Sequence, residues 1–108
     1  ILLSIHANAG GGTGYEMFTT KGETKSDAIA EILIKQFGST IPQLLLRKDL
    51  TDGDLDKEAQ FYIIRKTYCP AVLIECAFMD TLKPDCELLM EQPDLFANAV
   101  FNGILNLK

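Results

Sequence analysis

The strongest constraint on the fold is an uninterrupted apolar run near the middle of the chain. Residues 71–76 read AVLIEC, and Pro70 bounds the run on its amino-terminal side. Apolar residues at consecutive positions, rather than alternating ones, indicate a strand that is buried on both faces of a sheet. Proline cannot donate to a strand ladder, so its place before the run is the expected one. The run therefore predicts the central strand of the fold.

Two further strands are predicted in the first twenty residues. The apolar run from Ile1 to Ile5, broken by one serine, indicates another strand buried on both faces, and Tyr15 to Thr20 alternates as a half-buried strand does. The glycine-dense residues 9–14 between them predict a loop. Residues 61–65, FYIIR, fit either a strand or the end of a helix, and the sequence leaves both open.

Helical spacing of apolar residues predicts a helix over residues 24–37. Thr24 can cap its start, and Gly38 suits the left-handed position past its end. Residues 39–60 are charged and contain proline and glycine, so they predict mainly a loop with at most a short turn of helix.

The last quarter of the chain predicts two helices. Pro84 can open a short helix through Met90, and Asp94 can cap a final one. The apolar stripe of that final helix comprises Ala97, Val100, Phe101, Ile104 and Leu105. Strands that alternate with helices predict a single α/β domain: a mostly parallel open sheet with helices on both faces.

Composition excludes several classes of protein. The net charge of −5 argues against nucleic acid as a partner. No apolar run approaches the roughly 20 residues that a transmembrane helix needs. The three cysteines are an odd number, which argues against a disulfide framework. Apolar neighbours predict that Cys69 and Cys76 are small core residues.

Two polar residues end the predicted buried strands. His6, the only histidine, lies at the carboxyl end of the first strand, and Glu75 lies at the corresponding end of AVLIEC. Ligands of open α/β sheets gather outside the carboxyl ends of strands. Neutral imidazole is the commonest metal ligand, and glutamate can take a proton from water. We therefore expect both side chains to approach each other closely enough to act on one water molecule. The structural alternative is a hydrogen-bonded histidine without a ligand.

Two other chemistries have weaker support. Glycines 10–12 could surround a phosphate, but the GK[ST] signature that would follow them is absent. Cys69 with His6 could suggest a thiol hydrolase, but no recognised nucleophile sequence surrounds the cysteine, and a core thiol is the favoured interpretation.

Three segments, taken together, resemble a known enzyme family. They are SIHAN at 4–8, GYEMF at 14–18 and IIRKTYCPAVLIECAFM at 63–79. In this order and spacing they resemble the second half of the zinc-dependent N-acetylmuramoyl-L-alanine amidases. These enzymes cut the bond between the lactyl group of muramic acid and the first L-alanine of the peptidoglycan stem peptide. The resemblance implies that residues 1–108 form the carboxyl-terminal part of one catalytic domain, whose sheet is truncated on its N-terminal side.

The resemblance also implies roles for single residues. His6 matches the last ligand of a Zn²⁺ ion, and Glu75 matches the catalytic glutamate. Asn8 and Arg65 match recurring positions, for which we predict supporting substrate-binding roles near the cleft. Glu16 matches another, for which we favour a structural role. The other two zinc ligands of the family lie before SIHAN, outside this sequence.

Ala77 departs from the glycine that usually follows the cysteine in the family motif, which is a small change. The implied partner is peptidoglycan, and the implied location is the periplasm, the cell surface or the exterior of a bacterium. We also predict self-association, because a truncated sheet exposes an edge and apolar surface. The rival hypothesis is a non-catalytic α/β module that binds cell-wall material or a protein partner.

Overall fold

The fold is known from a computed structural model, which describes residues 1–22, 24–47, 57–58 and 61–107. The strands are β1 (Leu2–Asn8), β2 (Glu16–Thr19), β3 (Lys57–Glu58) and β4 (Ala71–Phe78). The helices are α1 (Lys25–Thr40), α2 (Tyr62–Arg65), α3 (Glu87–Glu91) and α4 (Pro93–Leu105), and a π-helical turn, Leu82–Cys86, leads into α3. This arrangement confirms the α/β class.

The sheet has the order β1-β4-β2-β3, so β4 lies between two strands, as its apolar sequence predicts. β1 runs parallel to β4 and β2 runs antiparallel to it, while β2 and β3 are parallel. Two of these three pairings are therefore parallel, and the sheet is mixed. Every residue of β4 is buried except Glu75, which is half-buried.

β1 differs from its prediction in burial. It contains His6 and continues to Asn8, but its residues are half-buried or exposed rather than buried on both faces. Ile5, for example, is 56% exposed. The physical reason is position: β1 lies at the edge of the described sheet, with a strand on one side only.

Helix α1 begins as its sequence predicts. The Thr24 hydroxyl accepts a hydrogen bond from an amide of the first turn, and Asp27 accepts one from the Thr24 amide, which completes a capping box. The prediction that Gly38 ends the helix is wrong. The helix continues to Thr40, and Ile41, the capping residue that follows, has no exposed surface. Pro42 then disfavours helical geometry at the residue before it, so the helix stops there.

The region predicted as a loop, residues 39–60, lies partly outside the described residues. Within it, β3 pairs with β2, so the prediction of loop and helical turn alone is wrong at this point. For residues 61–65 the structure favours the helical alternative, since α2 covers Tyr62–Arg65 and Phe61 precedes its first turn.

The C-terminal helices begin and pack differently from their predictions. Pro84 lies inside the π-helical turn instead of opening a helix, and Asp94 lies in the first turn of α4, behind Pro93. The buried side of α4 is formed by Phe96, Ala99 and Gly103, not by the predicted stripe, of which Val100 alone is partly buried in the core. A side chain at Gly103 would lie 2.5 Å from Leu33, so glycine permits α1 and α4 to approach closely.

Two apolar clusters place helices on both faces of the sheet. The larger cluster joins one face of the sheet to α1, α3 and α4. The smaller one packs Ile64 of α2 against Ala71 and Leu73 on the other face. The predicted two-sided cover is confirmed, although α2 is only one turn long.

The cysteines divide between core and surface. Cys76 is buried as predicted, and burial raises the pKa of its thiol to about 12, which keeps it protonated and unreactive at neutral pH. The core prediction for Cys69 is wrong, because this residue lies in the exposed turn before β4, where its thiol contacts the Thr67 hydroxyl. No helix among the described residues is long and apolar enough to cross a membrane.

An apolar groove of about 420 Å³ lies between β1 and the outer side of α4. Its lining includes Ile5 and Phe101, which are 56% and 60% exposed. We predict that the isolated chain self-associates through this groove and the β1 edge. In sedimentation velocity, Ile5→Lys should shift the chain toward monomer, whereas Met90→Lys, a change on exposed α3, should not. Equal behaviour of the two variants, or a native chain that stays monomeric as its concentration rises, would contradict the prediction.

Candidate active site

Three ionisable side chains form a row across the sheet. The parallel register pairs His6 of β1 with Glu75 of β4, and the antiparallel register pairs Glu16 of β2 with the same Glu75. Register partners project from the same face of a sheet, and neighbouring strands lie about 4.8 Å apart. The strands therefore bring His6 and Glu75 side by side, in the arrangement that their strand-end positions predict, and add Glu16 on the far side.

A bulge follows this row. After the His6–Glu75 pair, Asn8 pairs with Phe78, so that two residues of β4 oppose the single Ala7 of β1. Bulges bend a strand and redirect side chains, and they are frequent beside active sites. The bulge includes Ala77, which is fully buried and has no positive φ. Alanine in place of the family's glycine is therefore accommodated without backbone strain.

Glu75 occupies an unfavourable environment for a charge. Its Oε2 atom is buried and has no hydrogen-bond partner among the described residues. Burial raises the pKa of this carboxyl group, with a further increase from the Glu16 charge, and His6 opposes the increase. An oxygen in this state can accept a proton or a hydrogen bond from a molecule that enters the site. A raised pKa and an unpartnered oxygen are properties that a general base uses.

His6 is exposed, and its Nε2 atom lies 2.7 Å from the Ser4 hydroxyl oxygen. Ser4 and His6 are two residues apart on β1, so they project from the same face, and the hydroxyl can orient the ring. One exposed hydrogen bond leaves the imidazole accessible. The role of His6 as a metal ligand stays a prediction.

Glu16 is 7% exposed, and Asn8 and Arg47 are among its partners. The Asn8 side-chain amide donates to Oε1 at 2.9 Å, and Arg47 Nε donates to Oε2 at 3.1 Å. The Arg47 guanidinium also lies 5.0 Å from the centre of the Phe78 ring. These contacts support the structural role favoured for Glu16 and give Asn8 a position beside the row. Sequence reasoning missed Arg47, because it falls in a charged segment without periodicity.

A buried carboxylate connects the glycine-rich loop to the end of β4. Asp85 has no exposed surface, and it accepts hydrogen bonds from the Thr13 hydroxyl and from the backbone amides of Gly14 and Phe78, each of the amides at 2.9 Å. It thereby joins the segment before Glu16 to the segment after Glu75. Nothing in the local sequence distinguishes Asp85 from a surface acid.

The glycines considered as a phosphate site have another acceptor. The amides of Gly10 and Gly11 donate to one oxygen of Asp80 at 2.9 and 3.0 Å, and these bonds lower the pKa of Asp80. Their φ angles of 125° and 78° explain the need for glycine. A carboxylate of the chain itself occupies the position that a phosphate would take.

Removal of the Asp85 carboxylate should destabilise the fold. Asp85→Ala leaves two buried amides and one hydroxyl without their acceptor, and we expect a loss of roughly 3 kcal/mol in the free energy of unfolding. Asp80→Ala is the matched control, since it also removes two amide bonds to the glycine-rich loop, but at an exposed position where water can replace them. Urea unfolding of both variants measures the difference. Similar midpoints would show that Asp85 has no special role.

Arg65 lies at the other end of β4 from the His6–Glu75–Glu16 row. It is exposed at the end of α2 and lines a cavity with Lys21, Lys25 and Cys69 near the amino end of β4. The structure does not bring it to the His6–Glu75–Glu16 row, and its substrate-binding role stays a prediction. Cys69 lies at the same end of β4, so a site that joins it to His6 has no support.

Comparison with known proteins identifies the family of the chain. The sequence model of the N-acetylmuramoyl-L-alanine amidases matches residues 1–106. The chain belongs to this family. Among curated family members, the amidase CwlM of Bacillus licheniformis is 33% identical over 109 aligned positions, which cover 96% of this chain and 37% of that protein. The sporulation-specific amidase of Bacillus subtilis (strain 168) is 37% identical over 81 positions, which cover 74% of this chain and 29% of that protein.

Solved amidase structures share the fold. The N-acetylmuramoyl-L-alanine amidase of Clostridium difficile 630 gives a TM-score of 0.82 at 27% identity, over 96% of this chain and 55% of that one. The amidase AmiC2 of Nostoc punctiforme gives 0.79 at 27% identity, over 95% and 54%. The chain thus spans about a third of the curated family members and about half of these solved chains.

Proposed function

We propose that this chain is the carboxyl-terminal part of a zinc-dependent amidase domain that hydrolyses the bond between N-acetylmuramic acid and L-alanine in peptidoglycan. The observation that carries the proposal is the His6–Glu75 pair. In a chain of this family, an accessible imidazole lies beside a carboxylate whose Oε2 is buried and unpartnered in the described structure. That pair supplies one nitrogen ligand and one base.

A zinc ion fits this row only in part. The His6 imidazole is a suitable ligand, and the adjacent Glu75 oxygen has no other partner in the described structure. Among the described residues, however, no group of three His, Cys, Asp or Glu side chains could hold a metal ion. His6 would therefore be one ligand, and the others would come from a part of the domain outside these 108 residues. When bound, zinc supplies Lewis-acid polarisation of the scissile carbonyl and lowers the pKa of water.

Glu75 carries the proton transfers in this proposal. Its carboxylate accepts a proton from the water that attacks the carbonyl carbon, and it returns that proton to the alanine nitrogen as the carbon–nitrogen bond breaks. A general base works best when its pKa lies near the working pH. The burial that raises the pKa of Glu75 moves this group in that direction.

The experiment uses a protein that contains these residues within a complete amidase domain. Incubation with purified peptidoglycan should release stem peptides whose first L-alanine has a free amino group, detected by mass spectrometry. New reducing ends, or cleavage within the stem peptide, would assign a different bond and contradict the proposal.

The second candidate, a non-catalytic module that binds cell-wall material or a protein partner, draws on the absence of a three-ligand group from the described residues. The two candidates differ in one result. A complete domain that binds peptidoglycan and releases no peptide with zinc present would favour the module. For either one, the position of peptidoglycan implies the periplasm, the cell surface or the exterior of a bacterium.

A further inference from the structure

The contact between Ser4 and His6 determines which ring nitrogen of the histidine is available to a ligand. The Ser4 hydroxyl oxygen lies 2.7 Å from Nε2, which is hydrogen-bond distance. A neutral imidazole has one nitrogen that carries a proton and one that does not, and a metal binds through the second. Because Nε2 already contacts Ser4, the arrangement leaves Nδ1 as the nitrogen for a metal.

The geometry of β1 explains why these two side chains meet. Ser4 and His6 are separated by one residue, so they project from the same face of the strand, about 6.6 Å apart along it. An imidazole that leans toward the serine closes this gap. Ser4 pairs with the buried Leu73 of β4 and is half-buried, whereas His6 is exposed. The hydroxyl is therefore the better-held partner, and its hydrogen bond restricts rotation of the exposed ring.

Glu75 is the other group that the imidazole could engage. It is the register partner of His6, and the charges of the two side chains interact. Among the described contacts, however, the hydrogen bond of the imidazole is to Ser4, and the buried Oε2 of Glu75 has no partner. Histidines that bind metals often donate their second ring N–H to a carboxylate. Such a bond would occupy the carboxylate that the proposed function needs as a base, and a serine hydroxyl in its place leaves Glu75 free.

We propose that Ser4 is a positioning residue: its hydroxyl accepts a hydrogen bond from Nε2–H of His6, so that the ring binds a metal through Nδ1. Ser4 acts through His6 and contacts neither metal nor substrate in this proposal. The ligand role of His6 rests on the proposed function, whereas the contact between the two side chains does not.

Nuclear magnetic resonance of a complete amidase domain that contains these residues tests the nitrogen assignment without turnover. The domain is labelled with ¹⁵N at its histidines, and its zinc is replaced by ¹¹³Cd²⁺, whose nuclear spin couples to a nitrogen bound to it. Comparison with the His6→Ala variant identifies the signals of His6. We expect coupling of cadmium to Nδ1 and a proton on Nε2. Coupling to Nε2 would overturn the proposal.

Substitutions at position 4 test whether the hydroxyl positions the ring. Ser4→Ala should weaken zinc binding by the complete domain about 10- to 100-fold, as is usual when a group that orients a metal ligand is removed. Ser4→Thr keeps a hydroxyl and suits a strand, so its zinc affinity should stay within about threefold of the native value. Competition with a chelator measures the affinity, and urea unfolding of the zinc-free domain checks that each variant is folded.

Ser39→Ala is the matched control, because it removes a serine hydroxyl that bonds to carbonyl oxygens of α1 and lies outside the active-site row. Its zinc affinity should equal the native value. Equal affinities of Ser4→Ala and Ser39→Ala, or equal losses in Ser4→Ala and Ser4→Thr, would contradict the proposal.

The same experiments separate this proposal from the proposed function. A complete domain that shows coupling to Nδ1 and depends on Ser4 for zinc binding, but releases no stem peptide, would refute the amidase function and leave the role of Ser4 intact. Cadmium that binds the domain without coupling to either nitrogen of His6 would refute both the ligand role of His6 and the role of Ser4.

Discussion

Glu75→Gln in the complete amidase domain is expected to reduce turnover by about 10² to 10⁴-fold, because glutamine keeps the shape of the side chain but cannot accept a proton from water. Zinc content should stay at the native level, since this proposal gives Glu75 no ligand role. Release of stem peptide from purified peptidoglycan measures the rate, and metal analysis of the same sample measures the zinc. Native turnover in the Gln variant would remove Glu75 from its assigned role.

The stability of the same variant provides an internal control. The raised pKa of Glu75 means that the folded state binds a proton more readily than the unfolded state does. The native chain therefore loses stability as the pH rises from the unfolded pKa through the raised folded value, and Glu75→Gln does not. In urea unfolding of the zinc-free 108-residue chain at neutral pH, the variant should be at least as stable as the native chain, with a difference that shrinks in acid. A loss of activity in the complete domain could then not be ascribed to destabilisation of this part of the fold by the substitution.

The parts of the site that could be predicted from sequence depend on local patterns. A buried strand is visible as an apolar run, and the polar residue that ends it is visible beside it, as Glu75 is in AVLIEC. Because parallel neighbours share an edge, the approach of His6 to Glu75 could be predicted from two strand ends. The cap that Thr24 forms at the start of α1 is likewise predicted from local sequence, because the hydroxyl and the amide that it binds lie two residues apart.

The parts that could not be predicted depend on contacts between distant residues. Arg47 bonds to Glu16 across 31 positions, and Asp85 bonds to Thr13 across 72. Neither pairing leaves a periodic signal, and a fully buried aspartate has the same local sequence as an exposed one. Long-range packing also decided which side of α4 faces the core. Gly103 allows α1 to approach closely, so the helix buries the side that carries Phe96, Ala99 and Gly103 and exposes Phe101.

Arg65 illustrates the limit of inference by resemblance. Its position in the sequence matches a recurring family position, which suggests a place near the cleft. The structure instead puts it at the amino end of β4, beside Lys21 and Lys25. A motif identifies a residue as functional without giving its distance from the reacting atoms, which depends on how α2 packs on the sheet.

The second large expected effect is a difference in zinc affinity between the 108-residue chain and the complete domain. A catalytic zinc site needs about three protein ligands and an open position. Here His6 is the only histidine, and Glu16 is already bound by Asn8 and Arg47. We therefore expect the isolated chain to bind zinc only weakly and to release no stem peptide. Submicromolar one-to-one binding in calorimetry, together with amidase activity, would show that the chain carries a complete site.

The His6→Ala variant tests how far the zinc affinity of the complete domain depends on this imidazole. In the complete domain, this change removes one of three ligands, so zinc occupancy and turnover should both fall by an order of magnitude or more. In the isolated chain, the same change should alter weak zinc binding only slightly, because no second strong ligand cooperates with the imidazole. Glu75→Gln is the matched control in the complete domain, where it should abolish turnover and retain zinc. If the His6→Ala variant of the complete domain retained zinc, the imidazole would orient its neighbours Glu75 and Glu16 rather than bind the metal. The zinc ligands would then all come from outside these 108 residues.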